Sequence, residues 1–234
     1  MLRPTLPPLS AAARRLMRNG MAAMLMLVCH AACEQENYES GEGENSLLTA
    51  EIVEAEVGST KTCATALLDD GRRIQLERAI TASWMTKADT AYRAVLYYKK
   101  KPEGNEPVSI APVLVPAIRR ADTIKSGVKT DPVKLESIWK AKSGRWVNLS
   151  LNLLVGSTDD SDAVHLLGLV ADTLMANADG TKTQHLRLYH DQGGMPEYYS
   201  YHVYLSIPLT IMAADTLAIG INTYDSLTLK RFPL

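Results

Sequence analysis

The sequence predicts an all-β protein, with an N-terminal five-stranded OB-like barrel followed by a C-terminal seven-stranded β-sandwich. The first observation is that short apolar or alternating segments dominate residues 47–234. The second is that turn residues such as Gly, Asp and Asn separate these segments at regular intervals. The third is their number, because five short strands suit a small barrel and seven over roughly 100 residues suit a sandwich.

Residues 1–32 predict a lipoprotein signal peptide. Four arginines and no acid precede or flank an apolar run at 21–28, and that run is shorter than the roughly 20 residues that span a bilayer. Ala31 and Ala32 then precede Cys33, the arrangement in which bacterial lipoproteins are cleaved and lipidated. The alternative is an ordinary cleaved signal that leaves Cys33 in a free tail.

The start of the mature chain predicts a tether. Met1 and Met17 are both possible translation starts. Residues 33–46 are acidic and poor in apolar side chains, so they cannot bury enough surface to fold and should form a flexible tether. Without residues 1–32, the chain keeps 21 basic and 26 acidic residues, a net charge of −5. That charge argues against broad attraction to nucleic acid or anionic lipid.

Residues 47–117 predict the OB-like barrel. Asp70-Gly71 joins two alternating segments, a strong hairpin signal because the turn needs positive φ angles. A short helix is expected at 79–88, between the third and fourth strands. Pro112 places the last strand at an edge or a bulge. The predicted strands are 50–57, 61–68, 73–77, 91–99 and 107–115.

Residues 118–130 are polar and predict a linker to a sandwich at 131–234. The clearest strand is 145–155, where Val147, Leu149 and Leu151 alternate with polar residues as a half-buried strand requires. The predicted sandwich strands are 133–142, 145–155, 164–175, 181–190, 198–208, 217–221 and 227–232.

Three stretches, at 92–100, 131–154 and 185–209, resemble NigD-like lipoproteins of Gram-negative bacteria. The resemblance covers nearly all of the mature chain. It implies an N-terminal OB-like domain, a C-terminal β-sandwich and a place in the cell envelope, with the outer membrane expected. The family name comes from a bacteriocin gene cluster, so the resemblance also suggests a role in immunity, by analogy.

No catalytic or metal site is predicted. Phosphate-binding, dinucleotide-binding, zinc-protease and nucleophile-elbow motifs are absent from the sequence. Ser200, His202 and Asp191 offer only a weak hydrolase arrangement without a recognisable oxyanion hole. Cys63 lies in an apolar strand pattern and is expected to be a buried thiol. We therefore expect no enzyme activity, no cofactor and no metal. Four histidines remain in the mature chain, and we expect them to be isolated: His165, His185, His190 and His202.

Aromatic residues concentrate near one predicted strand. Tyr198, His202 and Tyr204 share one face by alternation, and this polar aromatic composition is typical of binding surfaces. Arg187 and Tyr189 could join them from the preceding strand. The opposite face, including Tyr199 and Tyr201, is expected to be core. The alternative is cross-strand aromatic pairing on a solvated face.

A weaker candidate is the lysine-rich end of the fourth barrel strand, with Tyr97, Lys99, Lys100 and Lys101. OB barrels bind oligonucleotides with such residues. Edge-protecting lysines on a solvated strand are the other interpretation, and we expect no nucleic-acid partner.

These observations predict a non-enzymatic lipoprotein that is anchored to the envelope and acts as a protein-binding or structural module. Its partner would be an unknown protein or glycan, in addition to the membrane. A carbohydrate- or oligomer-binding module is the alternative.

Overall fold

The computed structural model describes residues 48–159 and 163–234. The predicted signal peptide and the whole predicted tether, including Cys33, lie outside these residues. The described chain consists of β-strands and a single 3-10 turn at Ala121–Thr123, so the predicted all-β class is confirmed.

The N-terminal part is a closed five-stranded barrel with the strand order β1-β2-β3-β5-β4. Strand β1 pairs antiparallel with both β2 and β4, and a short parallel contact between β3 and β5 closes the ring. Both features fit the OB-like prediction. The strands are β1 (Leu48–Val57), β2 (Cys63–Leu68), β3 (Arg73–Ile80), β4 (Thr90–Lys101) and β5 (Gly104–Pro112).

Alternation along the barrel strands sends one set of side chains inward. Val53, Ala55 and Val57 on β1 are buried, while the glutamates between them are not. Cys63 is also buried, as predicted, and burial raises the pKa of its thiol. Tyr98 lies in the same core and donates its hydroxyl hydrogen bond to Glu51; burial, followed by this contact, raises its pKa.

The turns of the barrel confirm one prediction from the sequence and contradict another. Gly71 has φ +90° in the β2–β3 hairpin, as the Asp-Gly signal predicts. The helix expected at 79–88 is wrong: β3 continues to Ile80, and the rest is turn. The segment after Ile80 instead buries Met85 in the barrel core.

The C-terminal part has two sheets. One has five strands in the order β13-β12-β10-β9-β6, and the other has three in the order β11-β8-β7. Their apolar faces meet in one core built around Leu149, Leu186 and Ile219. The strands are β6 (Ile118–Arg120), β7 (Lys134–Lys140), β8 (Trp146–Val155), β9 (Leu166–Ala176), β10 (Lys182–Asp191), β11 (Tyr199–Pro208), β12 (Thr216–Asn222) and β13 (Leu227–Pro233).

Strand β6 lies in the range predicted as a linker. It pairs in parallel with β9 and places Ile118 against the sandwich core, so this part of the chain has eight strands where seven were predicted. Residues 121–130 then cross the outer side of β9, where Val170 is buried. A three-residue parallel strand has no sequence period of its own, which explains why its pattern was not recognised.

A buried polar cluster joins the barrel to the three-stranded sheet. The Arg93 side chain is 1% exposed and donates hydrogen bonds to the Asp69 carboxylate, to Asn148 Oδ1 at 3.0 Å and to Ser206 Oγ at 3.1 Å. Asn148 Nδ2 donates to Asp69 at 2.7 Å. The guanidinium also lies 4.7 Å from the centre of the Trp146 ring. Burial lowers the pKa of Arg93, and the charge of Asp69 opposes this.

No helix in residues 48–159 and 163–234 has the length and apolar character needed to span a bilayer.

Candidate functional site

The residues of the predicted aromatic face lie on two different sheets. Arg187 and Tyr189 are on β10, which pairs with β9 and β12, whereas His202 and Tyr204 are on β11, which pairs with β8. The expectation that β10 lies beside β11 is therefore wrong, because the chain crosses from one sheet to the other between them. Arg187 forms a bidentate ion pair with Asp172, at 2.7–2.9 Å, on the outer side of its own sheet.

The β11 members of the predicted face do lie together. The His202 and Tyr204 rings meet edge to face with centroids 4.4 Å apart, and His202 Nε2 is 2.7 Å from Ser150 Oγ on β8. Tyr198 is 78% exposed just before the strand and packs beside Gly156. Tyr204 reaches the cleft between the barrel and the sandwich.

Tyr199 and Tyr201 are 56% and 61% exposed, so the prediction that they belong to the core is wrong. Alternation places Tyr201 on the inward side of β11, but there it meets an open groove rather than the opposite sheet. Strand β6 pairs only with 169–171 of β9, so it does not pair with Leu166 and Leu167, which line the groove with Tyr201.

This groove runs along one edge of the sandwich, and we call it the edge groove. Its Tyr201 arm has a volume of about 420 Å³, and its Tyr189 arm has a volume of about 520 Å³. The two arms share Leu114, Leu166 and Leu167, so the exposed apolar surface is continuous between them. Leu166 is 52% exposed, and it forms part of a contiguous apolar surface with the other two leucines.

The backbone of β11 faces the Tyr201 arm as a partly covered sheet edge. Leu114, in the segment after β5, accepts a hydrogen bond from Ser206 N at 2.8 Å and donates one to Tyr204 O at 3.0 Å. No other strand of the described chain pairs with this edge. The backbone N–H and C=O groups of every second residue point to the same side of a strand. Ser200 and His202 therefore direct theirs to the same edge as Tyr204 and Ser206, beside the Tyr201 arm.

The Tyr189 arm is lined by aromatic, apolar and basic side chains. Tyr189 packs across Gly168 of β9, and the arm also receives Arg119 and Lys125 from β6 and the segment that follows it. No aspartate or glutamate is among the residues that line this arm. It therefore combines an apolar floor with positive charge.

Two histidines form a stacked pair next to the Tyr201 arm, contrary to the prediction of isolated histidines. His165 Nδ1 lies 2.9 Å from His190 Nε2, and the rings are 5.1 Å apart at 12°. His165 Nε2 donates to Leu154 O, and His190 Nδ1 donates to Asp131 O, each at 3.0 Å. These two bonds use both protons of a neutral pair, so the contact between the rings is a hydrogen bond only when the pair carries one added proton.

Burial lowers the pKa of His165, and the charge of His190 lowers it further. The pair consequently accepts a second added proton poorly. His165 Nε2 and His190 Nδ1 donate to their carbonyls whether or not the pair carries an added proton. The pair therefore holds the segment around His165 against β8 and β10 in both protonation states.

The lysine-rich candidate lies on the barrel, away from the edge groove. Lys101 pairs with Glu106 at 2.8 Å, and Lys100 lies 3.8 Å from Glu51. Tyr97 is half-buried on the same strand, and Lys99 lies opposite Glu106 in the ladder between β4 and β5. These carboxylates reduce the positive charge that a nucleic-acid backbone would meet.

The described residues hold no group of three or more histidine, cysteine or acidic side chains arranged for a metal ion. His202 contacts Ser150 rather than Ser200, and Glu136 on that face bonds to Lys134 and Asn152. The Ser200–His202–Asp191 arrangement is therefore not assembled.

Comparisons with known proteins agree with this architecture. Residues 116–228 match the family described as the NigD-like C-terminal beta sandwich domain. No curated protein sequence matches the chain. A NigD-like immunity protein of Bacteroides caccae is 26% identical, with a TM-score of 0.61 over 78% of this chain and 91% of that one.

Two further crystal structures share the fold at lower identity. A protein of unknown function from Bacteroides vulgatus is 15% identical, with a TM-score of 0.60 over 80% of this chain and 90% of that one. A candidate lipoprotein of Bacteroides fragilis is 13% identical, with a TM-score of 0.52 over 79% and 96%. The resemblance to NigD-like proteins is confirmed by the match of residues 116–228 to the NigD-like C-terminal β-sandwich domain and by the similarity to the Bacteroides caccae structure.

Proposed function

We propose that this chain is a non-enzymatic lipoprotein of the cell envelope that binds another protein through the edge groove. The observation that carries the proposal is the continuous apolar groove beside an uncovered strand edge. Tyrosine is enriched among the residues that supply most of the binding energy at protein interfaces, and contiguous exposed apolar surface marks interaction sites. An uncovered edge offers backbone hydrogen bonds to an incoming chain, and soluble proteins normally protect such edges.

The envelope location rests on the sequence. Ala31-Ala32-Cys33 follows a short apolar run, and acylation of Cys33 would anchor the protein to a membrane, with the outer membrane as the expected site. The Bacteroides fragilis protein of the same fold, itself a candidate lipoprotein, fits this placement.

The Bacteroides caccae relative favours a toxin protein as the partner, because it is described as an immunity protein and is 26% identical. Immunity proteins act by binding rather than by chemistry.

Photo-crosslinking in living cells tests the proposal. A photoreactive amino acid placed at Tyr201 or Leu166 should yield one discrete protein adduct in the envelope fraction. The same residue at Tyr224, an exposed tyrosine outside the groove, should not. In the same cells, Cys33→Ala should move the protein out of the membrane fraction. Adducts that are absent, or identical at all three positions, would overturn protein binding at the groove.

The alternative, glycan binding, is favoured by one observation. A cleft of about 460 Å³ between the barrel and the sandwich is walled by Trp139 and Tyr204 over Ile52 and Val95. Aromatic walls around a concave site are common in small-ligand pockets. Binding on a glycan array that Trp139→Ala abolishes would favour this function over protein binding.

A further inference from the structure

The cations around the Tyr189 arm differ in their pairing. Arg120 pairs with Asp122 at 2.8 Å, and Lys129 pairs with Asp191 at 2.8 Å. Their neighbours Arg119 and Lys125 have no acidic partner within residues 48–159 and 163–234. The two cations that line the groove are thus the ones left without carboxylates.

This local charge stands out against the rest of the protein. The chain without its signal peptide has a net charge of −5, yet the fourteen residues that line the arm include two cations and no acid. Cations that lie beside apolar surface bind carboxylates more strongly than fully solvated ones, because less water competes. A ligand that complements the Tyr189 arm carries negative charge next to apolar groups.

The uncovered edge of β11 indicates the form of that occupant. Leu114 already adds to this edge through two backbone hydrogen bonds, at 2.8 and 3.0 Å. The edge can therefore pair with an extended chain. Its unpaired part, at Ser200 and His202, lies beside the arm that contains the shared leucines. A chain lying there would have its side chains in the groove.

We propose, building on the protein-binding function above, that the edge groove takes an extended polypeptide segment that carries both apolar residues and carboxylates. Its backbone pairs with β11 in the Tyr201 arm. Its apolar side chains contact Leu114, Leu166 and Leu167, and its carboxylates reach Arg119 and Lys125 in the Tyr189 arm.

The probe is a random peptide library displayed on phage and selected on the purified mature protein. Selected peptides should be enriched in both Asp or Glu and apolar residues, and free synthetic copies should bind with an affinity measurable by calorimetry. Arg119→Glu with Lys125→Glu should weaken that binding by at least about tenfold, because charge-assisted contacts are replaced by repulsion.

The matched control is Lys230→Glu with Arg231→Glu, which changes the net charge equally on β13, at the far edge of the same sheet. It should leave peptide affinity within about twofold. All four cations are exposed, and circular dichroism of each variant verifies folding. The single variants Arg119→Glu and Lys125→Glu should each show part of the loss.

A library that enriches no peptide, enriches neutral or basic ones, or yields peptides insensitive to the charge reversal would overturn the inference. The crosslinking at Tyr201 would still report whether any protein binds there. If Tyr201 crosslinks to a protein but the selected peptides are not acidic, only the proposed acidic character of the partner is refuted. If Tyr201 yields no crosslink, the protein-binding function itself is refuted.

Discussion

The two ends of strand β11 lie in opposite environments. Near Ser206 the strand is covered by the barrel, and Ser206 Oγ accepts a hydrogen bond from the buried Arg93 and donates one to Asn148. Near Tyr201 the strand is exposed beside leucines that have no cover. The three-stranded sheet therefore buries a charged contact where it meets the barrel and leaves apolar surface exposed at the other end of the same strand.

The largest effect is expected at the covered end. Arg93→Ala should lower the free energy of unfolding by about 3–5 kcal/mol, because it removes the buried cation that pairs with the Asp69 carboxylate and donates to Asn148. Urea denaturation gives this value. Arg187→Ala, which breaks the exposed pair with Asp172, is the control and should cost about 1 kcal/mol or less. Equal losses would contradict the contrast between buried and exposed pairing.

A smaller effect is expected from the histidine pair beside the open end. Because the pKa of His165 is lower in the folded protein than in the unfolded chain, the unfolded chain binds the proton more readily. Stability should therefore be full above the unfolded value of about 6.5 and should fall as the pH decreases through the window below it.

The measurement is the unfolding midpoint from pH 7.5 down to pH 5 for wild type and His165→Asn. The variant should show a shallower loss on acidification, since it lacks the group that must gain a proton. Asp131, whose backbone holds His190 and whose charge favours protonation of His165, is retained in both proteins. Parallel curves would mean that His165 does not govern the acid response.

The smallest effect on stability is expected at the open end. Leu166→Ser should change the free energy of unfolding by no more than about 0.5 kcal/mol, because the side chain is already half in water. Leu169→Ser, three residues along the same strand but buried in the core, should cost several times more. A large loss for Leu166→Ser would show that the groove is a part of the core and not a free surface.

Local sequence patterns predicted much of the fold because they reflect local geometry. Asp70-Gly71 predicted its hairpin, and the alternation of Val147, Leu149 and Leu151 predicted a strand with one buried face. The same patterns do not determine which strands become neighbours. Strands β10 and β11 follow one another along the chain but belong to different sheets, so Tyr189 and Tyr204 were grouped wrongly.

The site was less predictable than the fold, since its parts come from distant segments. Leu114, Arg119 and Leu166 show no motif and meet only in the folded chain. The histidine pair likewise joins positions 25 apart. Tyr201 follows the inward alternation, but its exposure depends on how far the opposite sheet extends, which no local period encodes.

The position of Leu114 has a consequence for how the two domains depend on each other. The NigD-like domain match begins at residue 116, two positions after the leucine that caps β11. A sandwich separated at that boundary would lose this cap and expose the full length of its edge strand to self-association. The segment after the barrel therefore protects the sandwich from pairing with other strand edges. Leu114 occupies part of the β11 edge and so limits the length of that edge that stays unpaired.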